Sequence, residues 1–113
     1  MKKFNIEYKE VDSTIRIRII GELDASTCIA AEQCLKKASA SGAKKIMIDC
    51  QELSYISSAG IGVLLSTYYA CSLQSTLLIL YSMPLKVKDV FETLGLDKTL
   101  FIKGSLEEAL ELT

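Results

Sequence analysis

The chain contains no histidine, which removes the base that a serine or cysteine nucleophile ordinarily depends on. No other base is placed by sequence beside Ser57 or Ser58, so no catalytic residue is assigned and enzymatic activity is not expected. The four cysteines, Cys28, Cys34, Cys50 and Cys71, lie too far apart for a zinc-type pattern. They read as structural thiols packed like small hydrophobes in a reducing cytosol, with no metal and no cofactor. The carboxylates Glu22, Asp24, Asp49 and Glu52 are few and separated, which gives a metal-dependent hydrolase little support.

Charge of one sign is also missing. Thirteen basic residues against fourteen acidic ones give a formal net charge of −1, so no positive field is available to gather a nucleic-acid backbone. No apolar run approaches the roughly 20 residues of a membrane-crossing helix; the longest is Leu77-Leu78-Ile79-Leu80-Tyr81. Met1-Lys2-Lys3-Phe4 begins like a signal peptide, but Asn5, Glu7, Lys9 and Glu10 follow where an apolar region is required. A cytoplasmic protein without membrane insertion is expected. Gly60-x-Gly62 lacks the third glycine of a dinucleotide loop, and no Gly-Lys-Ser/Thr sequence occurs.

What the sequence does contain is patterning. At 113 residues, half of them apolar and 24% charged, the chain fits one globular domain over 1–113 that buries a core without staples. Phe4, Ile6 and Tyr8 alternate with polar residues, and after a turn near Asp12-Ser13 so do Ile15, Ile17 and Ile19, predicting a hairpin covered on one side. Gly21-Glu22-Leu23-Asp24 ends the second strand, and Asp24 is placed to cap a helix through the N–H of Ser26 or Thr27. That helix runs to about Ser41 with Cys28, Ala31, Leu35 and Ala38 inward, and Gly42 closes it as a left-handed residue.

Residues 44 to 50 suit a strand and Gln51 to Ile56 a loop. Ser57-Ser58 open a second helix with the stripe Ile61, Leu64, Leu65, Tyr68 and Cys71, either serine being an eligible N-cap. Leu77 to Tyr81, apolar on both faces, belongs mid-sheet. Pro84 falls in the first turn of a third helix closed by Gly95. Thr99 to Ile102 form a last strand, and Ser105-x-x-Glu108 is a capping box for a terminal helix. The order β-β-α-β-α-β-α-β-α predicts an α/β fold, with a mostly parallel mixed sheet, an N-terminal β-hairpin and four helices.

In such sheets loops and helix N-termini converge beyond the strand ends. Two segments belong there, Gly21-Glu22-Leu23-Asp24 and Ser57-Ser58-Ala59-Gly60-Ile61-Gly62, and they are expected to be neighbours. A phosphoryl group on Ser58 would sit at a helix N-terminus, where the dipole and free N–H groups favour anions. Gly60 and Gly62 each give up about 1 kcal/mol of helix propensity against alanine. Either a partner needs a bare surface there, or the helix needs small residues to seat tightly on the sheet.

The two segments Gly21-Glu22-Leu23-Asp24 and Leu53-Ser54-Tyr55-Ile56-Ser57-Ser58-Ala59-Gly60-Ile61-Gly62 resemble the signatures of the STAS anti-sigma-factor antagonists, and the likeness extends over nearly the whole chain. It implies a single STAS-like domain in a bacterial regulator of transcription. In that family the serine after an aspartate is phosphorylated; Ser58 takes that place, Ser57 stands where the aspartate is usual, and Ser57 is the second candidate acceptor. The resemblance further implies partner switching. The unphosphorylated domain binds an anti-sigma factor kinase through Glu22, Asp24, Ser57, Ser58, Ala59, Gly60, Ile61 and Gly62, and a PP2C-type phosphatase restores it after phosphorylation. Two other roles fit the same fold: a non-phosphorylated STAS subunit of an assembly such as a lipid-transporting ABC complex, and a small anion or nucleotide sensor.

Overall fold

The hairpin at the start of the chain sets the geometry of everything after it. In the computed structural model, which describes residues 3–112, β1 (Asn5–Val11) pairs antiparallel with β2 (Thr14–Leu23). Asp12 takes a left-handed φ of 57° in the turn between them, a conformation aspartate tolerates better than most residues. Ile15, Ile17 and Ile19 of β2 are all buried, while Arg16 and Arg18 project from the opposite face, as the period of two requires.

The remaining elements are α1 (Cys28–Ser39), β3 (Lys45–Asp49), β4 (Leu53–Ile56), α2 (Ser58–Leu73), β5 (Leu77–Tyr81), α3 (Leu85–Thr93), β6 (Phe101–Lys103) and α4 (Leu106–Glu111), with a 3₁₀ turn at Leu96–Lys98. The strand order is β1-β2-β3-β5-β6, with β4 paired to the far end of β2. All pairs except β1–β2 are parallel. One face of the sheet, carrying Ile15, Ile17, Ile46, Ile48, Leu78 and Leu80, packs on Leu35 of α1, Leu64 of α2 and Phe91 of α3. The other face carries Met47, Ile79 and Tyr81 under Ala109 of α4. Each buried isoleucine, leucine, methionine or phenylalanine side chain among these contributes about 1.5–3 kcal/mol by leaving water.

Four boundaries depart from expectation. Residues 53–56 form a strand where a loop was expected. Leu53 and Ile56 are buried and Ser54 and Tyr55 exposed, a pattern too short to display a period of two. The strand is nucleated by its neighbour: Gly21, at φ 94°, bulges β2 and donates its N–H to the Glu52 carbonyl at 2.9 Å. The first helix ends at Ser39 rather than near Ser41, with Gly42 at φ 83° beyond the cap. Pro84, extended at ψ 152°, is the N-cap of α3 and not part of its first turn. The last strand starts at Phe101, because Thr99 and Leu100 donate their N–H groups to the Leu96 carbonyl and so close the 3₁₀ turn. Gly95, at φ 72°, follows the α3 cap as expected. Ser105 caps α4 by accepting from Glu108 N–H at 3.2 Å, and the Glu108 carboxylate returns to the N–H of Gly104 at 3.0 Å.

Candidate functional site

The parallel strands deliver β2 and β4 side by side at one edge of the sheet. Glu22 pairs with Tyr55 and Leu23 with Ile56, and the Ser57 N–H donates to the Leu23 carbonyl at 2.9 Å. The two segments expected to be neighbours are therefore joined through the main chain. Immediately after this bond the chain turns into α2.

Ser57 is the N-cap of α2. Its hydroxyl oxygen accepts from Gly60 N–H at 3.3 Å, and its carbonyl accepts from Ile61 N–H at 2.9 Å. Ser58, the first helical residue, is exposed, and its hydroxyl makes no hydrogen bond to any described residue. The two serines thus divide the work: one holds the helix start, and the other presents a free hydroxyl at the positive end of a 16-residue helix. That helix, Ser58–Leu73, contains no charged residue, so a phosphoryl group on Ser58 would be its only charge.

The glycines also part company. A Cβ on Gly60 would stand 2.7 Å from the Leu23 carbonyl oxygen and 2.9 Å from Leu23 Cγ and from Ile56 Cγ1, whereas one on Gly62 would meet nothing within 4 Å. Gly60 lets the helix seat on the sheet, and Gly62 leaves bare backbone at the surface. Of the residues expected to face a partner, Gly60 and Ile61 are buried, Glu22, Asp24 and Ser57 are partly exposed, and Ser58, Ala59 and Gly62 are exposed.

Asp24 does not cap α1, contrary to expectation. The helix begins at Cys28, Thr27 is its N-cap position, and no side chain caps it. The intervening residues are taken up by a turn in which the N–H groups of Thr27 and Cys28 both donate to the Asp24 carbonyl. The Asp24 carboxylate does accept from the Ser26 N–H at 2.9 Å, as expected, and also from the Ser26 hydroxyl at 2.7 Å, but these bonds stay within the turn ahead of α1 and do not cap the helix. The hydroxyl bond, reinforced by backbone N–H groups, outweighs slight desolvation and holds the carboxyl below its ordinary range. Asp24 is thus a fixed negative charge on the loop beside α2.

Sequence reasoning passed over Thr27 and Ser54. The Thr27 hydroxyl donates to the Glu22 carbonyl at 2.8 Å and accepts from Asp24 N–H at 3.0 Å, pinning the loop from inside. The Ser54 hydroxyl donates to the Gly21 carbonyl at 3.1 Å. A threonine three residues after Asp24 was the available signal, since hydroxyl and carboxyl side chains in that spacing build such turns. Two exposed apolar side chains, Tyr55 (50%) and Ile29 (72%), come from the β4 and α1 elements that flank the site.

A cleft of about 610 Å³ opens at the same edge, lined by Glu22, Glu52, Leu53, Pro84, Leu85 and Lys86 among others. Two carboxylates against one ammonium is an unfavourable balance for a phosphate-bearing ligand, which argues against a nucleotide there. Among the described residues no cluster of ligating side chains could hold a metal ion, and no helix is long and apolar enough to cross a membrane.

Residues 5–109 match the STAS domain family. An anti-sigma-B factor antagonist of Listeria monocytogenes is 30% identical over 101 residues, covering 88% of this chain and 89% of that protein. Two solved structures superpose closely. An anti-sigma factor antagonist from Mycobacterium paratuberculosis gives a TM-score of 0.88 at 22% identity, over 96% of this chain and 92% of that one. The Bacillus cell fate determinant SpoIIAA in its phosphorylated form gives 0.72 at 25% identity, over 96% and 97%.

Proposed function

The chain belongs to the STAS domain family, and from that premise we propose that it is an anti-sigma factor antagonist, a binding protein switched by phosphorylation of Ser58. The observation that carries this reading is the free, exposed Ser58 hydroxyl at the start of an uncharged helix, one residue from the main-chain bond that ties α2 to the Glu22–Asp24 loop. A relative named as an anti-sigma-B factor antagonist and a similar protein solved in a phosphorylated form support it.

In this reading the unphosphorylated protein binds an anti-sigma factor kinase in the cytoplasm and so releases a sigma factor. The contact surface is Ser58, Ala59 and Gly62 with Glu22 and Asp24 at its side. Transfer of a phosphoryl group from ATP to the Ser58 oxygen adds about −1.5 to −2 charges. The helix N-terminus tolerates that charge, so the fold survives. An interface closed over an uncharged helix and beside the fixed carboxylate of Asp24 does not tolerate it. A PP2C-type phosphatase returns the domain to its binding form.

The test is incubation with the cognate anti-sigma kinase and ATP followed by peptide mapping. One phosphate on Ser58 is expected. Phosphate confined to Ser13, Ser66 or another distant hydroxyl would refute the site, and none at all would favour a fixed assembly subunit.

A further inference from the structure

The sheet face opposite α1, α2 and α3 is only half covered. α4 lies over Met47, Ile79 and Tyr81, and beside it β1 and β2 expose a row of charged side chains. The register sets Glu7 opposite Arg18 and Lys9 opposite Arg16, and all four line one cavity of about 210 Å³ together with Asp49 and Tyr81.

The charges in this cavity are not paired evenly. Arg18 takes both carboxylates, Asp49 Oδ2 at 3.2 Å from Nε and Glu7 Oε1 at 3.8 Å from Nη1. Asp49 is further committed, because its Oδ1 accepts from Gln51 N–H at 3.0 Å. Lys9 and Arg16 are left without an acidic partner among the described residues, although like charges directly opposite on neighbouring strands repel. Arg16 is not loose. It is partly buried, and its Nη2 donates to the Tyr81 hydroxyl at 3.3 Å, while Tyr81 itself is 2% exposed and packed under α4. A phenol that accepts from a guanidinium keeps its own proton to donate.

We propose that Lys9, Arg16 and Tyr81 form a binding site for a small oxyanion of the phosphate class. A guanidinium fork, an ammonium and a phenolic O–H supply donors from three side chains that border one space. That number suits three oxygens of a tetrahedral anion better than the two of a planar carboxylate. A bound dianion also relieves the repulsion between Lys9 and Arg16, so the unfavourable register becomes useful. The site is on the sheet face away from α2 and does not depend on the reading of Ser58.

The experiment is a titration of the full ¹⁵N-labelled chain with inorganic phosphate, followed by amide and arginine Nε shifts, with sodium chloride at matched ionic strength and acetate as controls. Saturable shifts at Lys9 and Arg16 with a dissociation constant on the order of 1 mM are expected, at least several-fold tighter than for acetate. Arg16→Gln should weaken binding at least tenfold, and Lys9→Gln and Tyr81→Phe several-fold each. Lys9→Glu guards against loss of fold. It pairs an acid with Arg16 and should raise the thermal midpoint while abolishing the phosphate response. Shifts that fail to saturate, that chloride reproduces, or that persist in Arg16→Gln would overturn the proposal. So would equal affinity for acetate.

Discussion

The carbonyl oxygen of Leu23, which accepts the Ser57 N–H, is the same atom that a side chain on Gly60 would strike at 2.7 Å. The bond that fixes the site and the packing that permits it therefore converge on one backbone group. Gly60→Ala gains helix propensity of about 1 kcal/mol. It also forces a Cβ against a carbonyl oxygen and two side-chain carbons that cannot all give way, and overpacking of this kind costs about 1–3 kcal/mol. A net loss of stability is expected in urea denaturation. Gly62→Ala meets open space and should gain up to about 1 kcal/mol. Equal effects from the two substitutions would mean that the seating of α2 has been misread.

Substitution at Ser58 separates charge from shape. Ser58→Ala removes an exposed hydroxyl that bonds to no described residue, so partner affinity should be kept. Ser58→Glu places a carboxylate at a helix N-terminus, where it is neutral or stabilising by about 0.3–1 kcal/mol, yet it should weaken partner binding by at least about 1.4 kcal/mol, or tenfold. Calorimetry with the partner kinase measures the difference, and circular dichroism verifies both folds. Equal affinities would rule out charge at this position as the switch.

Most of the architecture was legible because it is written in periodicity. Ile15, Ile17 and Ile19 alternate cleanly, Ala31, Leu35 and Ala38 recur at helical spacing, and in the apolar run from Leu77 the four residues Leu78 to Tyr81 are buried in mid-sheet as expected. The site was legible as two segments. What was hidden depends on tertiary partners. β4 exists because the Gly21 bulge offers it a donor, and four residues carry too little pattern to announce themselves. Asp24 satisfies every local rule for an N-cap, but a turn closed on its own carbonyl delays the helix to Cys28. The two glycines of α2 look alike in sequence and differ only in what lies opposite them.

The turn at Asp24 should be visible in acid. Its carboxyl is held below the usual range by the Ser26 hydroxyl and the neighbouring N–H groups. A depressed folded value contributes stability that is present above the unfolded value of about 3.9 and is lost as pH falls through the folded one. Asp24→Asn should therefore flatten the acid limb of a stability profile below about pH 4 and leave its slope near neutrality unchanged. An unaltered acid limb would show that the Ser26 bonds do not persist in solution.

The thiols give the opposite sign. Cys50 is fully buried, and desolvation, with Asp49 adding repulsion, pushes its thiol from 9.0 up to about 12. Stability from keeping it neutral is complete below the unfolded value and is lost as pH rises between these two limits. Native protein at neutral pH should leave Cys50 unmodified by a thiol reagent while the partly exposed Cys28 reacts slowly. Cys50→Ala should lessen the alkaline fall in stability. Rapid native-state labelling of Cys50 would contradict its burial.

Ser57 offers the sharpest division between structure and recognition, because it stands where the related proteins are expected to carry an aspartate. Its hydroxyl accepts from Gly60 N–H, and serine and aspartate are about equally good in that role, so Ser57→Asp should change stability by no more than about 0.5 kcal/mol. Ser57→Ala removes the acceptor and should cost about 1 kcal/mol. Recognition responds differently. On the proposed function, a carboxylate next to Ser58 puts a charge into the kinase-binding surface, and the phosphorylation rate should change several-fold although the melting midpoint hardly moves. Ser57→Ala should still be modified at Ser58, because the hydroxyl it loses is committed to the helix cap while that of Ser58 is free. If Ser57→Ala abolishes phosphorylation and Ser58→Ala does not, the acceptor is the capping serine and the division of labour between the two is reversed.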